Sequence, residues 1–435
     1  MAEQLTVVLY GSVTGRLSRD VGTGRLSFRY DGEYLNSPVP VPLSLRLPLD
    51  EAVYGARRMV PYLEGLLPED PGTRRRWADM LGVDRPDAFN LLAGMGADCP
   101  GAVQFVPAGN EKSLTVRNAG LVELGETEIA ARLRRLAADP ASWVMTGEHW
   151  SLAGQQSKFA LARHDGRWFQ ATGSAPTTHI VKPGIGRLRH QALVEHATMR
   201  AARAAGVDVA PCELWRFEDQ TAVVAERFDR VRGADGRILR VHQEDFCSAT
   251  GRVPDQKYEA EGGPMLRDMM RAVAAYSTAP SDDALAILDF LAVNYLAGAP
   301  DGHSKNIALL ILPGQVRVAP LYDLATAFPY DRRGPFQVAQ SIGGKRRIGE
   351  VKARHWENAA LILGLPGEQV RQRVIHLAEV LPFAFSDALA EIGTPAAGEI
   401  AGRSVDKLAA HCGETAGSLA RADAKPRVRR GSPRR

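Results

Sequence analysis

The segment Gly298-Ala299-Pro300-Asp301-Gly302-His303-Ser304-Lys305-Asn306 joins a long apolar helical stretch to the β-type run Ile307-Ala308-Leu309-Leu310-Ile311-Leu312. The stretch before it, about Ala284 to Ala297, carries so few polar residues that it belongs in the middle of a lobe. Pro313-Gly314 reads as a hairpin turn that returns the chain through Val316 to Pro320 and brings Leu321-Tyr322-Asp323 to the same end. Two carboxylates, Asp301 and Asp323, and the Asn306 amide are therefore expected to converge.

Such a set suits phosphoryl transfer, in which the protein orients a hydroxyl and neutralises phosphate charge through magnesium. Asp301 can accept or steer the proton of an attacking hydroxyl. Asn306 and Asp323 offer the hard oxygens that Mg²⁺ requires. The step from Asp301 to Asn306 is that of the protein-kinase catalytic loop, Asp, four residues, Asn. A structural role also fits: Asp301-Gly302 as a turn, Asn306 as a cap, His303 as a hydrogen-bonded loop histidine, Lys305 as a solvated charge and Tyr322 as a packing residue.

Upstream residues supply further parts in a consistent order. Lys182 ends the run Thr178-His179-Ile180-Val181, where a lysine can reach α- and β-phosphates. Glu195, on a helix over about Gln191 to Ala205 closed by Gly206, could hold it, although a lone Lys and Glu on neighbouring elements also suit a surface. Ser151-Leu152-Ala153-Gly154-Gln155-Gln156-Ser157-Lys158 reads as a link between two strands whose small residues admit phosphates to the backbone; with one Gly, it equally suits a plain hairpin. Ala225-Glu226-Arg227-Phe228-Asp229-Arg230 closes a strand where a two-lobed kinase has its hinge, and backbone groups there could hydrogen-bond adenine.

Around these parts, the first fifty residues read as a small strand-rich unit with runs at Thr6 to Tyr10 and Leu26 to Tyr30, and residues 57–104 as helical. A charged helix from about Glu126 to Ala138 stops at Asp139-Pro140, and strands follow around Glu213 to Phe217 and Thr221 to Phe228. The chain beyond Met265 is largely helical, and no repeat of fixed period is present. No apolar run is long enough to cross a bilayer and the start lacks a secretory pattern, so no membrane role and a cytoplasmic location are expected. The well-separated Cys99, Cys212, Cys247 and Cys412 agree with a reducing compartment and small core residues. The formal charge of +4 arises from residues 421–435, seven Lys/Arg against one Asp; that end reads as a basic disordered tail that solubilises the chain or touches DNA.

Taken together, these residues resemble the HipA family, the serine/threonine kinase toxins of bacterial HipBA toxin–antitoxin pairs. The resemblance spans nearly the whole chain. It is carried by Pro42-Leu43-Ser44-Leu45-Arg46-Leu47-Pro48-Leu49, Leu66-Leu67-Pro68, Gly101-Ala102-Val103, Ser151 with Ala153-Gly154-Gln155, and Thr177-Thr178-His179-Ile180. It continues through Ala225 to Arg230, Gln243-Glu244-Asp245, Asp301 to Asn306, and Tyr322-Asp323 with Ala327-Phe328-Pro329. The resemblance implies an α+β, two-lobed, protein-kinase-like fold of the PI3/4-kinase-like HipA type, with an amino-terminal β-rich subdomain (1–110). A nucleotide-binding lobe (111–230), a mostly α-helical carboxy-terminal lobe (231–420) and the tail (421–435) would follow.

It further implies ATP and Mg²⁺ as cofactors, Asp301 as catalytic residue, Asn306 and Asp323 as metal ligands, and Lys182, paired with Glu195, as the phosphate-holding lysine. The ATP site would extend over Ala153, Gly154, Gln155, Gln156, Ser157, Lys158, Glu226, Arg227, Phe228, His303, Ser304, Lys305 and Tyr322. Ser151 would be an autophosphorylation site whose added charge of about −1.5 to −2 expels its loop. The implied partners are a HipB-like helix-turn-helix antitoxin, operator DNA reached through it, and a protein substrate such as an aminoacyl-tRNA synthetase. Two positions depart from the family: Ser157, where Glu is frequent, and Pro300, which restrains Ala299 before the catalytic loop. A catalytically weak corepressor and a small-molecule kinase are the alternatives.

Overall fold

The computed structural model describes residues 2–114, 119–330 and 335–423. An amino-terminal antiparallel sheet is ordered Tyr54–Gly55, Leu26–Tyr30, Ser12–Asp20, Ala2–Leu9, Val103–Pro107. Its inward side chains, among them Leu5, Val7, Leu17 and Phe28, pack with helices Ala56–Gly65, Pro71–Leu81 and Ala88–Met95. Asp70 and Asp87 cap two of these helices, each accepting a backbone N–H from three residues on. The alternating run Ser12–Asp20 was not foreseen from the sequence, because Gly15 sits within it; a Cβ there would lie 2.3 Å from the Arg29 carbonyl.

The second sheet is ordered Cys212–Phe217, Gln220–Glu226, His179–Lys182, Phe159–His164, Arg167–Gly173, Ala119–Leu124. Two helices flank it, Glu126–Ala138 and Gln191–Ala204. The expected hairpin at 151–158 is absent: these residues form no ladder and run from beside Asp98 into the strand Phe159–His164. The strands His242–Asp245, Ala308–Leu312 and Gln315–Val318 form a third sheet at the base of the helical lobe. That lobe is built from Leu266–Tyr276, Pro280–Leu296, Ala353–Leu363, Gly367–Ile392 and Pro395–Asp423. Residues 421–423 thus end a helix, and the rest of the expected tail, 424–435, lies outside the described residues. No helix among the described residues is long and apolar enough to cross a membrane.

Two buried polar joints tie the amino-terminal unit to the rest of the chain. In the first, the Asp98 carboxylate meets Arg230 and Arg240 at 2.8 Å and accepts from the Thr177 N–H and hydroxyl, while Arg227 bonds Asp229, Thr177 and the Cys99 carbonyl. In the second, Glu244 accepts from the Ser44 hydroxyl, the Leu45 N–H and the Ser248 hydroxyl. The sequence runs Pro42 to Leu49 and Gln243 to Asp245 thereby acquire a structural reason: they are two sides of one contact.

Burial pushes Glu244 up to about 7, against the pull of its three donors. A carboxyl raised on folding contributes stability below the ordinary carboxylate range, and that contribution is lost as pH rises to about 7. The urea midpoint of the wild type should therefore fall between about pH 5 and about pH 7 more steeply than that of Glu244→Gln. Parallel curves for the two proteins would refute this.

Candidate active site

The strand His179–Lys182 ends at Lys182, whose ammonium is buried between the two lobes. Its Nζ donates to Glu195 Oε1 at 2.9 Å and also bonds Asp323 Oδ1. Glu195 comes from the next helix, where Gln191 one turn earlier donates to its other oxygen at 3.2 Å. Asp323 is brought in by a short parallel pairing of Leu321 with Val209, sealed by Leu321 N–H to the Asp208 carbonyl and Ala210 N–H to the Leu321 carbonyl. Asp323 itself has φ +60, a left-handed conformation that Asp tolerates better than most residues.

Burial opposes charge on Lys182, but the carboxylates of Asp323 and Glu195 outweigh it and raise its pKa. For Asp323 burial is again outweighed, by Lys182 first and Lys158 next, and its pKa is lowered to about 2. Glu195 shifts the other way, raised by burial more than Lys182 lowers it. The surface reading of Lys182 and Glu195 is thus overturned: both are under 10% exposed.

Asp301 follows Gly298, where the long helix Pro280–Leu296 has ended and the Phe328 ring covers the turn. Gly302 is required here, because a Cβ would lie 2.5 Å from the Asn294 side chain. The loop closes on itself when Asn306 Nδ2 donates to the Asp301 carbonyl at 2.7 Å. The Asp301 side chain is 67% exposed. Its pKa is nevertheless raised, by the crowding of protein around it and by the nearby charge of Asp323, while a hydrogen bond from Tyr258 pulls it down. The charge of Asp323 thus reaches Asp301.

The remaining predicted positions divide. Tyr322 stacks on Phe228, ring centroids 5.2 Å apart, and its hydroxyl donates to the Lys305 carbonyl at 2.7 Å. Lys158 Nζ donates to the Ala153 carbonyl at 2.7 Å, and burial, then the charge of Lys182, lower it to about 8. Gly154 has φ +102, and a Cβ there would meet Lys158 Nζ at 2.8 Å. Gln156 reaches the group through Gln191, Ser157 bonds the Pro140 carbonyl, and Gln155 is exposed. Asn306 has its amide nitrogen engaged, which leaves Oδ1 as its ligand atom, and Asp323 is part-exposed; this pair of oxygens fits a hard divalent cation that takes its other ligands from phosphate and water. Among the described residues no group of three or more His, Cys, Asp or Glu forms a metal site by itself.

Other predicted positions are engaged elsewhere. Lys305 is a buried cation rather than a solvated one, held by the Gly65 carbonyl, Asp245 and Glu69. Ser304 bonds the Lys257 carbonyl, and His303, driven down to about 3 by burial and then Lys257, is neutral. The Arg227 guanidinium lies in the Asp98 joint, and the N–H groups of Glu226 and Arg227 are taken by the Pro211 and Thr178 carbonyls. Ser151 is 0% exposed, its N–H on the Asp98 carbonyl. The sequence reading missed Glu69, which donates its N–H to the Gly154 carbonyl and ion-pairs with Lys257 at 2.5 Å, and Tyr258, which caps Asp301. Glu69 directly follows Leu66-Leu67-Pro68, a signal that was present; Tyr258 lies in an irregular stretch with none.

A family model described as the HipA-like C-terminal domain matches residues 150–384, over half of the chain, and one described as the HipA N-terminal domain matches residues 5–106. The chain belongs to the HipA family. It is 35% identical over 371 residues to Y4mE of Sinorhizobium fredii, a protein named as a kinase, covering 85% of this chain and 88% of that one. It is 29% identical over 395 residues to the serine/threonine-protein kinase toxin HipA of Shewanella oneidensis, covering 86% and 87%. The structure of that organism's HipA, solved with HipB and its operator DNA, matches with a TM-score of 0.82 and 26% identity over 97% of this chain and all of that one. The fold is accordingly that of HipA, kinase-like, with a β-rich amino-terminal part and a helical carboxy-terminal region.

Proposed function

We propose that this chain is an ATP- and Mg²⁺-dependent serine/threonine protein kinase acting as the toxin of a HipBA-type pair. The observation that carries the reading is the junction at Lys182, whose ammonium joins Glu195 and Asp323 across the cleft from the Asp301–Asn306 loop. Lys182, with Lys158 beside it, holds the phosphates; Phe228 and Tyr322 flank the adenine side with the backbone at Glu226 to Phe228. Asn306 and Asp323 would hold magnesium, which when bound neutralises phosphate charge. Asp301 receives the acceptor hydroxyl's proton as the oxygen bonds to the γ-phosphorus and the bond to the β–γ bridging oxygen breaks, releasing ADP.

The relatives' names and the HipA–HipB–operator assembly support a HipB-like antitoxin and operator DNA as partners; that the antitoxin is of helix-turn-helix type and carries the chain to the DNA rests on family resemblance. The acceptor is a translation-related protein such as an aminoacyl-tRNA synthetase, a reading that rests on family resemblance. Ser151 is a second acceptor; being fully buried, it receives phosphate only once its loop has left the Asp98 edge. The test is the intact mass of the purified protein after incubation with ATP and Mg²⁺, followed by site mapping. A gain of phosphate mass at Ser151 is expected. Protein that binds ATP and shifts operator DNA with its antitoxin, yet labels neither itself nor any lysate protein, would instead select a catalytically weak corepressor.

A further inference from the structure

Phosphoryl transfer in the proposed site depends on two loops that lead into strands of different sheets, Ala153 to Lys158 on the phosphate side and Asp301 to Asn306 on the acceptor side. Among the described residues no hydrogen bond or ion pair joins one loop directly to the other. Glu69, from the amino-terminal unit, touches both. Its N–H donates to the Gly154 carbonyl at 3.0 Å, beside the short parallel pairing of Pro68 with Gly154. Its carboxylate pairs with Lys257 at 2.5 Å through Oε2 and faces Lys305 at 3.8 Å through Oε1. Oε1 makes no hydrogen bond among the described residues, so Lys257 is the firmer partner.

Each tie is braced. The Pro68 carbonyl accepts from Arg74 Nε at 2.5 Å, Arg74 pairs with Glu64 at 2.6 Å, and Asp70 caps the helix Pro71–Leu81, so Glu69 is held from both sides. Lys257 passes the restraint on to the catalytic loop. Its carbonyl accepts the N–H and the hydroxyl of Ser304, at 3.3 and 2.9 Å, and the next residue, Tyr258, donates its hydroxyl to Asp301 Oδ1. Lys305, one residue before Asn306, is also held by the Gly65 carbonyl at 3.3 Å and Asp245 at 3.4 Å. The side chains of Glu69, Asp245, Lys257 and Lys305 are at most 14% exposed, and their formal charges cancel. Neutralising one member therefore leaves a buried charge without its partner.

A transfer site tolerates little displacement, since a misplacement of about 1 Å can slow the reaction about 10²-fold. Resting on the kinase reading, we propose that Glu69 is a positioning residue for phosphoryl transfer: its N–H fastens the phosphate loop and its carboxylate fastens the catalytic loop through Lys257 and Lys305. The amino-terminal unit thereby sets the spacing between the γ-phosphate and the acceptor. ATP affinity, which rests on the Lys182 side of the site, does not depend on that carboxylate.

The test is single-turnover consumption of γ-labelled Mg²⁺·ATP by the full chain at saturating ATP, summing label passed to the chain and to water, with the ATP Kd measured in parallel. Glu69→Gln keeps the N–H and the side-chain size and removes the charge. Its rate constant should fall by about 10- to 100-fold with the Kd within about twofold of wild type. A merely structural role would lower the amplitude, as fewer molecules bind ATP, and leave the rate constant of those that do. Lys257→Met should give a similar fall, and the double variant should be no slower than either single one, because both break the same tie. Should Glu69→Gln fail to fold, Lys257→Met, which leaves Glu69 facing Lys305, decides alone. A rate constant within about twofold of wild type, a loss confined to the Kd, or additive losses in the double variant overturns this proposal and leaves the kinase reading standing. Wild type that binds ATP and never consumes it overturns the kinase reading and this inference with it.

Discussion

Asp301→Ala is expected to keep ATP binding and lose phosphoryl transfer by about 10²–10⁴-fold, the usual contribution of a positioned general acid or base. Binding should survive because the Lys182, Glu195 and Asp323 junction makes no contact through the Asp301 side chain. The loop should keep its shape, since Asn306 bonds the Asp301 carbonyl, which alanine retains. Single-turnover measurements with γ-labelled ATP at saturation separate the two effects. A transfer rate within tenfold of wild type would remove Asp301 from the chemistry.

The second large effect is on stability. Asp98→Ala should cost about 3–5 kcal/mol, because removing one partner leaves buried charges uncompensated. Asp98 is 1% exposed and touches Arg227, Arg230 and Arg240. Burial alone would raise its pKa; Arg230, Arg240 and Arg227 outweigh it and hold it well below the usual carboxylate range. A depressed carboxyl contributes stability above the ordinary carboxylate pKa and loses it as pH falls toward its own, so the variant should also lack part of the wild type's acid sensitivity. Urea unfolding of both proteins at neutral and acid pH measures each effect. A cost under about 1 kcal/mol would mean that water reaches the guanidiniums and that the joint is not dry.

These two residues also mark how far the sequence could be read. Asp301 was accessible because its partners are near in the chain: a buried helix, a glycine, an amide five residues on and a hairpin that brings back Asp323. Local periodicity likewise located the helices Glu126–Ala138 and Gln191–Ala204, whose apolar faces recur at helical spacing. Asp98 had no such signature. Its arginines lie about 130 residues away in the sequence, and a buried charge has the same letters as a solvated one. For this reason Ala225 to Arg230 read only as a hinge, while its arginines in fact close the joint, and Lys305 read as a surface cation although Glu69 and Asp245 neutralise it inside. Tyr258 was hidden for a related reason: its tight winding depends on carbonyl contacts around Gly263 that no period encodes.

The Asp98 joint has one more consequence, for the chain's divisibility. Cut in the stretch after the strand Val103–Pro107, the polypeptide would leave the Asp98 carboxylate without its arginines on one piece and, on the other, three guanidiniums with Asp229 left to serve Arg227 and Arg230, each facing newly admitted water. Each piece would carry the other's missing counter-ion, so that two gene products from such a fission would be ready-made mates and not independent modules.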